Sequence, residues 1–123
     1  MSANPELRLA DRGSVPVAHL SGELDVSTSG MVRDRLLTAV ANQDVGLVVD
    51  LSDAIYVDSA GVNLLFEVAE RLGVRQLAFA VVYPEGGIVE RVFELVDLSS
   101  VADVHHSVDA AVHAVLASQN SDE

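Results

Sequence analysis

The run Asp58-Ser59-Ala60-Gly61 sets an acid, a hydroxyl and two small residues directly ahead of an apolar stretch. A Ser at the start of a helix sits beside unpaired backbone N–H groups and the positive end of the helix dipole, where a phosphate is tolerated without unfolding the chain. The chemistry open to Ser59 is therefore acceptance of a phosphoryl group, which would bring ~−1.5 to −2 charge next to Asp58. Gly61 would leave room for the backbone of a kinase or partner to approach, and Ala60 offers no second hydroxyl. The plainer alternative is that Asp58 or Ser59 only caps the helix. A second polar group, Gly22-Glu23-Leu24-Asp25 followed by Ser27-Thr28-Ser29, could stand beside the first at the same end of a sheet. Asp25 then adds to the charge there or serves as a turn acid, and Ser27, Thr28 and Ser29 read as caps of the following helix.

Other chemistry finds less support. His105 and His106 would point to opposite faces of a strand, and with His113 they have no acid or Cys at ligand spacing, so no metal site is expected. Glu85-Gly86-Gly87 reads as a turn. The chain has no Lys, which removes both the phosphate-loop lysine and the lysine of a phospho-Asp receiver domain. With no Cys there is neither a thiol nucleophile nor a disulfide, and a reducing cytoplasm is the expected location. No Ser-His-acid arrangement is legible, no cofactor is implied, and an enzyme is not expected.

The 123 residues suit one domain spanning 1–123. A net charge of −12 opposes nucleic acid and anionic membranes as partners, and the 50% hydrophobic content is enough to form a core. Met1 to Gly13 lacks the cationic start and apolar run of a signal peptide, and no apolar run approaches the ~18 residues of a membrane span.

Elements to position these groups follow from periodicity. Leu7–Ala10 and Val15–Leu20 flank the turn residues Asp11-Arg12-Gly13-Ser14 and predict a hairpin, closed by Gly22. Val32, Leu36, Ala39 and Val40 recur at helical spacing within 30–42. Leu47–Leu51, continuously apolar but for Asp50, reads as a central strand buried on both faces. A loop over 52–58 then leads into a helix from about Ala60 to Leu72, stopped by Gly73. Leu77–Val82 predicts a strand, Ile88 to Val96 a helix, Val101–Val104 a brief strand, Val108 to Leu116 a last helix, and Ser118–Glu123 a flexible tail. Alternating strands and helices after a hairpin imply an α/β fold, a mostly parallel sheet packed with about four helices.

In the helix after Ser59, apolar residues from Val62 to Leu72 cover about 200° of the wheel, wider than the roughly 100° a surface helix needs. Leu64 and Val68 lie at one edge of that stripe. They are either left open for a partner or covered by a neighbouring helix.

With Asp58-Ser59-Ala60-Gly61 opening a helix after a buried strand, and Gly22-Glu23-Leu24-Asp25 after the second strand, the chain resembles the STAS family. It is most similar to the bacterial anti-sigma-factor antagonists, and the likeness extends through element order over nearly the whole chain. The resemblance implies a STAS-like fold and binding to an anti-sigma factor with serine kinase activity. It further implies inactivation by phosphorylation of Ser59, reversal by a phosphoserine phosphatase, and thereby control of sigma-factor-dependent transcription. Ala60 stands where the family commonly has a second Ser. On this reading the partner-binding residues are Asp25, Asp58, Ser59, Ala60 and Gly61, with Leu64 and Val68 as apolar contacts; ATP and magnesium belong to the partner. Two rivals remain open: a STAS subunit of a transport assembly bracing an ATPase, and a small enzyme or ligand-binding domain using Asp58 and Ser59.

Overall fold

A computed structural model describes residues 6–118. Gly13, at a left-handed φ of 72°, turns the chain so that β1 (Glu6–Arg12) pairs antiparallel with β2 (Val15–Leu24), Arg12 opposite Val15. Every later strand pair is parallel: β2 with β3 (Gly46–Val57), β3 with β4 (Ala78–Val82) and β4 with β5 (Asp103–His105). The five strands lie in the order β1-β2-β3-β4-β5. Parallel neighbours require crossovers, supplied by α1 (Ser29–Ala39), α2 (Ser59–Val74) and α3 (Ile88–Val96); α4 (Val108–Ser118) follows β5. The hairpin, the parallel remainder and the four helices are the architecture expected from the sequence.

Because each step moves one strand in the same direction, right-handed crossovers place α1, α2 and α3 on one face of the sheet. Strand alternation divides the interior accordingly. Leu47, Val49 and Leu51 face those three helices with Leu20, Leu36, Leu65, Phe93 and Leu98, whereas Val48 turns with Val15, Val17, Ala80 and Val82 toward Ala111, Val112 and Val115 of α4.

Four local readings are corrected. Residues 52–57 are strand, continuing β3, because β2 also runs on and pairs with them: Ser21 with Asp53, Gly22 with Ala54, Leu24 with Val57. Pairing on one side alone leaves Ser52, Asp53, Ile55 and Tyr56 exposed, which is why the segment lacks a buried strand's apolar run. Gly73 does not end α2. The helix closes one residue later, with Gln76 in the left-handed region at φ 60°, its N–H on Gly73 O at 2.9 Å and the Leu77 N–H on Leu72 O at 2.9 Å, the paired bonds of a Schellman turn. The last strand begins at Asp103, since a 3-10 turn over Leu98–Ser100 takes up the residues before it. Ser118 belongs to α4, and the rest of the expected tail, 119–123, lies outside the described residues, as do residues 1–5 of the opening stretch.

Leu64 and Val68 are 4% and 0% exposed, so neither is an open apolar contact. α1 packs against α2, its own inward face formed by Val32 and Leu36, and the wide apolar stripe of α2 is divided between the sheet and this neighbour. Among the described residues no helix is long and apolar enough to cross a membrane.

Candidate functional site

From Leu51 to Val57, β3 has only β2 beside it, and the two strands project together past the end of β4. Register shifts between His19 and Ser21 and between Gly22 and Glu23 accompany Gly22 at φ 91°, so the projecting pair is irregular. Because the strands are parallel, their carboxyl ends emerge together. Asp25 follows β2 and Asp58 follows β3, which brings the two polar loops into contact as expected from the sequence.

Asp58 joins them. Its Oδ1 accepts from the N–H groups of Ala60 at 2.9 Å and Gly61 at 3.1 Å, capping α2. Its Oδ2 accepts from the Val26 N–H at 3.3 Å, and its own N–H donates to Leu24 O at 3.2 Å. Asp58 is thus the cap, and Ser59 is the first residue of the helix. The Ser59 side chain is exposed and makes no hydrogen bond among the described residues. The amides of Ala60 and Gly61, which the sequence suggested would be open to a phosphate, are already held by Asp58. A phosphate on Ser59 would stand outward beside that carboxylate.

Gly61 serves the interior. A Cβ there would meet Leu24 O at 2.7 Å and the Leu24 side chain at 2.9 Å, so the missing side chain lets the first turn of α2 rest on the end of β2. It is buried, and leaves no room for a partner backbone as had been expected. Ala60 remains partly exposed beside Ser59.

The Asp25 carboxylate folds onto its own loop, accepting from Ser27 Oγ at 2.7 Å and the Ser27 N–H at 3.0 Å. The Ser27 hydroxyl is the main reason its pKa lies below the ordinary carboxylate value, the burial effect being opposed and smaller. Asp25 is therefore charged at neutral pH. Thr28 occupies the cap position of α1, but its Oγ1 accepts from the Asp25 N–H at 3.1 Å and bonds no helical amide. Ser27 and Thr28 thus brace the Asp25 turn, where capping of α1 by their side chains had been expected.

The apolar contribution comes from residues that the sequence reading passed over. Val26, tied by its amide to Asp58, is 77% exposed, and Ile55 and Tyr56 are 58% and 49% exposed on the projecting part of β3. An apolar residue between Asp25 and Ser27, in an otherwise polar loop, was the available signal. A second polar group also went unread: His19 Nδ1 lies 2.8 Å from Asp50 Oδ2, and the Ser52 hydroxyl donates to Asp50 Oδ1 at 2.6 Å. Among the described residues no group of three or more His, Cys, Asp or Glu could hold a metal ion.

Removing the joint has a measurable cost. Asp58→Ala is expected to lower the unfolding free energy by about 1 kcal/mol through loss of the cap, whereas Asp58→Asn, which keeps an acceptor oxygen, should retain most of it. Urea unfolding of both variants checks this, and equal midpoints for Ala and wild type would contradict the capping geometry.

Known proteins share this fold. The model of the STAS domain matches residues 6–111. Over 90 residues the chain is 30% identical to the anti-sigma-F factor antagonist RsfB of Mycobacterium tuberculosis, covering 73% of this chain and 72% of that protein. The crystal structure of an anti-sigma factor antagonist from Mycobacterium paratuberculosis superposes with a TM-score of 0.83 at 29% identity, covering 94% of this chain and 98% of the other. The anti-sigma factor antagonist SpoIIAA shares the fold at 20% identity: its unphosphorylated form has a TM-score of 0.72 with coverage of 91% and 97%, and the phosphorylated Bacillus form 0.65 with 89% and 99%. With two loops joined by Asp58 at the end of a parallel strand pair, and a family match across most of its length, the chain belongs to the STAS domain family.

Proposed function

We propose that this STAS domain is an anti-sigma factor antagonist whose partner is an anti-sigma factor with serine kinase activity, and that phosphorylation of Ser59 turns it off. The observation that carries the reading is the state of Ser59: exposed, unbonded among the described residues, and first in a helix already capped by Asp58. A hydroxyl spent on capping would have to be released before phosphoryl transfer. This one can enter a kinase site with no change in the fold. The names of the relatives, anti-sigma factor antagonists, supply the class of partner.

In this reading the docking surface comprises Asp25, Asp58, Ser59 and Ala60 with Val26 as the apolar contact, while Gly61, Leu64 and Val68 support it from beneath. The protein holds the anti-sigma factor and so frees a sigma factor for transcription. It carries out no catalysis and needs no cofactor of its own; a phosphoserine phosphatase resets it. The whole chain works as one domain, in the cytoplasm where sigma factors act.

The test is incubation with the cognate kinase and ATP, followed by mass spectrometry. Phosphate is expected on Ser59 alone and absent from Ser59→Ala. Equal incorporation into Ser59→Ala would overturn the assignment.

Val26→Ser should raise the dissociation rate from the anti-sigma factor roughly tenfold, with little change in association, since short-range apolar contact acts on the bound state. Surface plasmon resonance reads both rates, and an unchanged dissociation rate would remove Val26 from the interface.

A further inference from the structure

Of the two outer strands, β5 is three residues long, whereas β1 runs for seven and pairs on one side only, with β2, among the described residues. Arg12 and Val15 close a two-residue turn, so their backbone groups bond to each other. Alternation from that pair aims the N–H and C=O groups of Glu6, Arg8, Ala10 and Arg12 at β2. Those of Leu7, Leu9 and Asp11 then face away from the sheet, and no proline removes a donor from this outward set.

The side chains of β1 are balanced where the protein as a whole is not. The chain carries a net charge of −12, yet within β1 Glu6 and Asp11 are matched by Arg8 and Arg12. Two copies of so acidic a protein meet with least repulsion along a strand that is neutral overall. Leu9 stands in the middle of that strand and is 45% exposed. It lies on the α1 side of the sheet, where it lines an open groove of about 260 Å³ with Arg35, Thr38 and Ala39.

We propose that β1 is a pairing surface for a second copy of this chain, the two β1 strands running antiparallel about a two-fold axis through Leu9. An axis normal to the sheet keeps the helices of both copies on matching sides, and it must then pass through a residue of the strand. Through Arg8 it would set Arg8 against Arg8, and through Ala10 it would set Arg8 against Arg12. Through Leu9 it sets Glu6 against Arg12 at both ends, in the non-hydrogen-bonded pairs where side chains come closest. The same register brings Leu9 opposite Leu9 and Leu7 opposite Asp11, so each outward N–H and C=O of β1 meets its complement. Arg12 already reaches Asp109 at 2.8 Å, but both side chains are exposed and a guanidinium has donors to spare for a second carboxylate. The proposal makes no use of Ser59 and can fail without affecting that reading.

The test is sedimentation equilibrium of the full chain, with amide hydrogen exchange of the 15N-labelled protein at about 20 μM and about 1 mM. A dimer with a dissociation constant on the order of 100 μM is expected for so short a contact. At the higher concentration the amides of Leu7, Leu9 and Asp11 should exchange several-fold more slowly, while those of Arg8 and Ala10, already bonded to β2, should not change. Leu9→Lys sets two like charges together at the axis and should weaken the dimer at least about tenfold, with the urea midpoint unchanged because the position is exposed. Glu6→Arg should weaken it about fivefold, and Glu6→Arg combined with Arg12→Glu should restore it, since the reversal exchanges the signs within each pair. A chain that stays monomeric at the higher concentration, a dimer that leaves those three amides unprotected, or one that Leu9→Lys does not weaken would overturn the proposal. So would a double reversal that binds no more tightly than Glu6→Arg alone.

Discussion

Phosphorylated protein is expected to bind the anti-sigma factor about a hundredfold more weakly than the unmodified form, a loss of ~3 kcal/mol. The magnitude follows from the geometry around Ser59. Asp58 already holds the amides of Ala60 and Gly61, so the helix start offers those two donors to its own cap and not to the phosphate. The new charge therefore stands beside the Asp58 carboxylate at the surface a partner must cover, and docking would have to desolvate it without local compensation. Ser59→Asp adds one charge and lacks the three acceptor oxygens, so it should lose roughly tenfold. Ser59→Ala should bind as the unmodified protein does. Backbone amide shifts should change near Ser59 and Asp25 and stay constant in the distant strands, because the sheet has no part in accommodating the phosphate. Plasmon resonance on the four forms gives the order of affinities, and equal affinity of the phosphorylated and unmodified proteins would remove the switch.

Leu64→Ala is expected to destabilise the fold by about 2–4 kcal/mol while leaving the dissociation rate from the partner nearly unchanged. Leu64 is 4% exposed within the larger core, and deleting its side chain leaves a cavity between α2 and its neighbours. A domain of this size has only about 5–15 kcal/mol in all, so the shift in the urea midpoint is large. The result separates the support beneath the docking surface from the surface itself. An unchanged midpoint with faster dissociation would mean that Leu64 touches the partner after all.

What the sequence made legible, and what it hid, divides along how local the cause is. The hairpin was readable because Gly13 sits between two apolar stretches, and α2 because Asp58 precedes an apolar periodicity; each signal is complete within a few residues. The continuation of β3 through Val57 was not, since it depends on β2 running on as far as Leu24 to pair with it. Leu64 and Val68 could not be assigned from the wheel alone, because their exposure is decided by whether α1 lies alongside. Gly61 illustrates the same limit: a small residue near an exposed Ser at a helix start suits open access or close internal packing equally well, and only the 2.7 Å approach to Leu24 O distinguishes them.

The projecting part of β3 carries a hazard of its own. Beyond Asp50 no strand pairs with its far side among the described residues, so the row of backbone groups from Leu51 to Val57 is a template on which another chain could add. The exposed apolar pair Ile55-Tyr56 would favour such growth. Asp53, exposed in the middle of this edge, works against it, because a second copy added in register would bring two carboxylates together in a poorly screened gap. The same short acidic interruption that disguises the segment as a loop thus helps to keep an unpaired strand from recruiting its own kind as the protein accumulates.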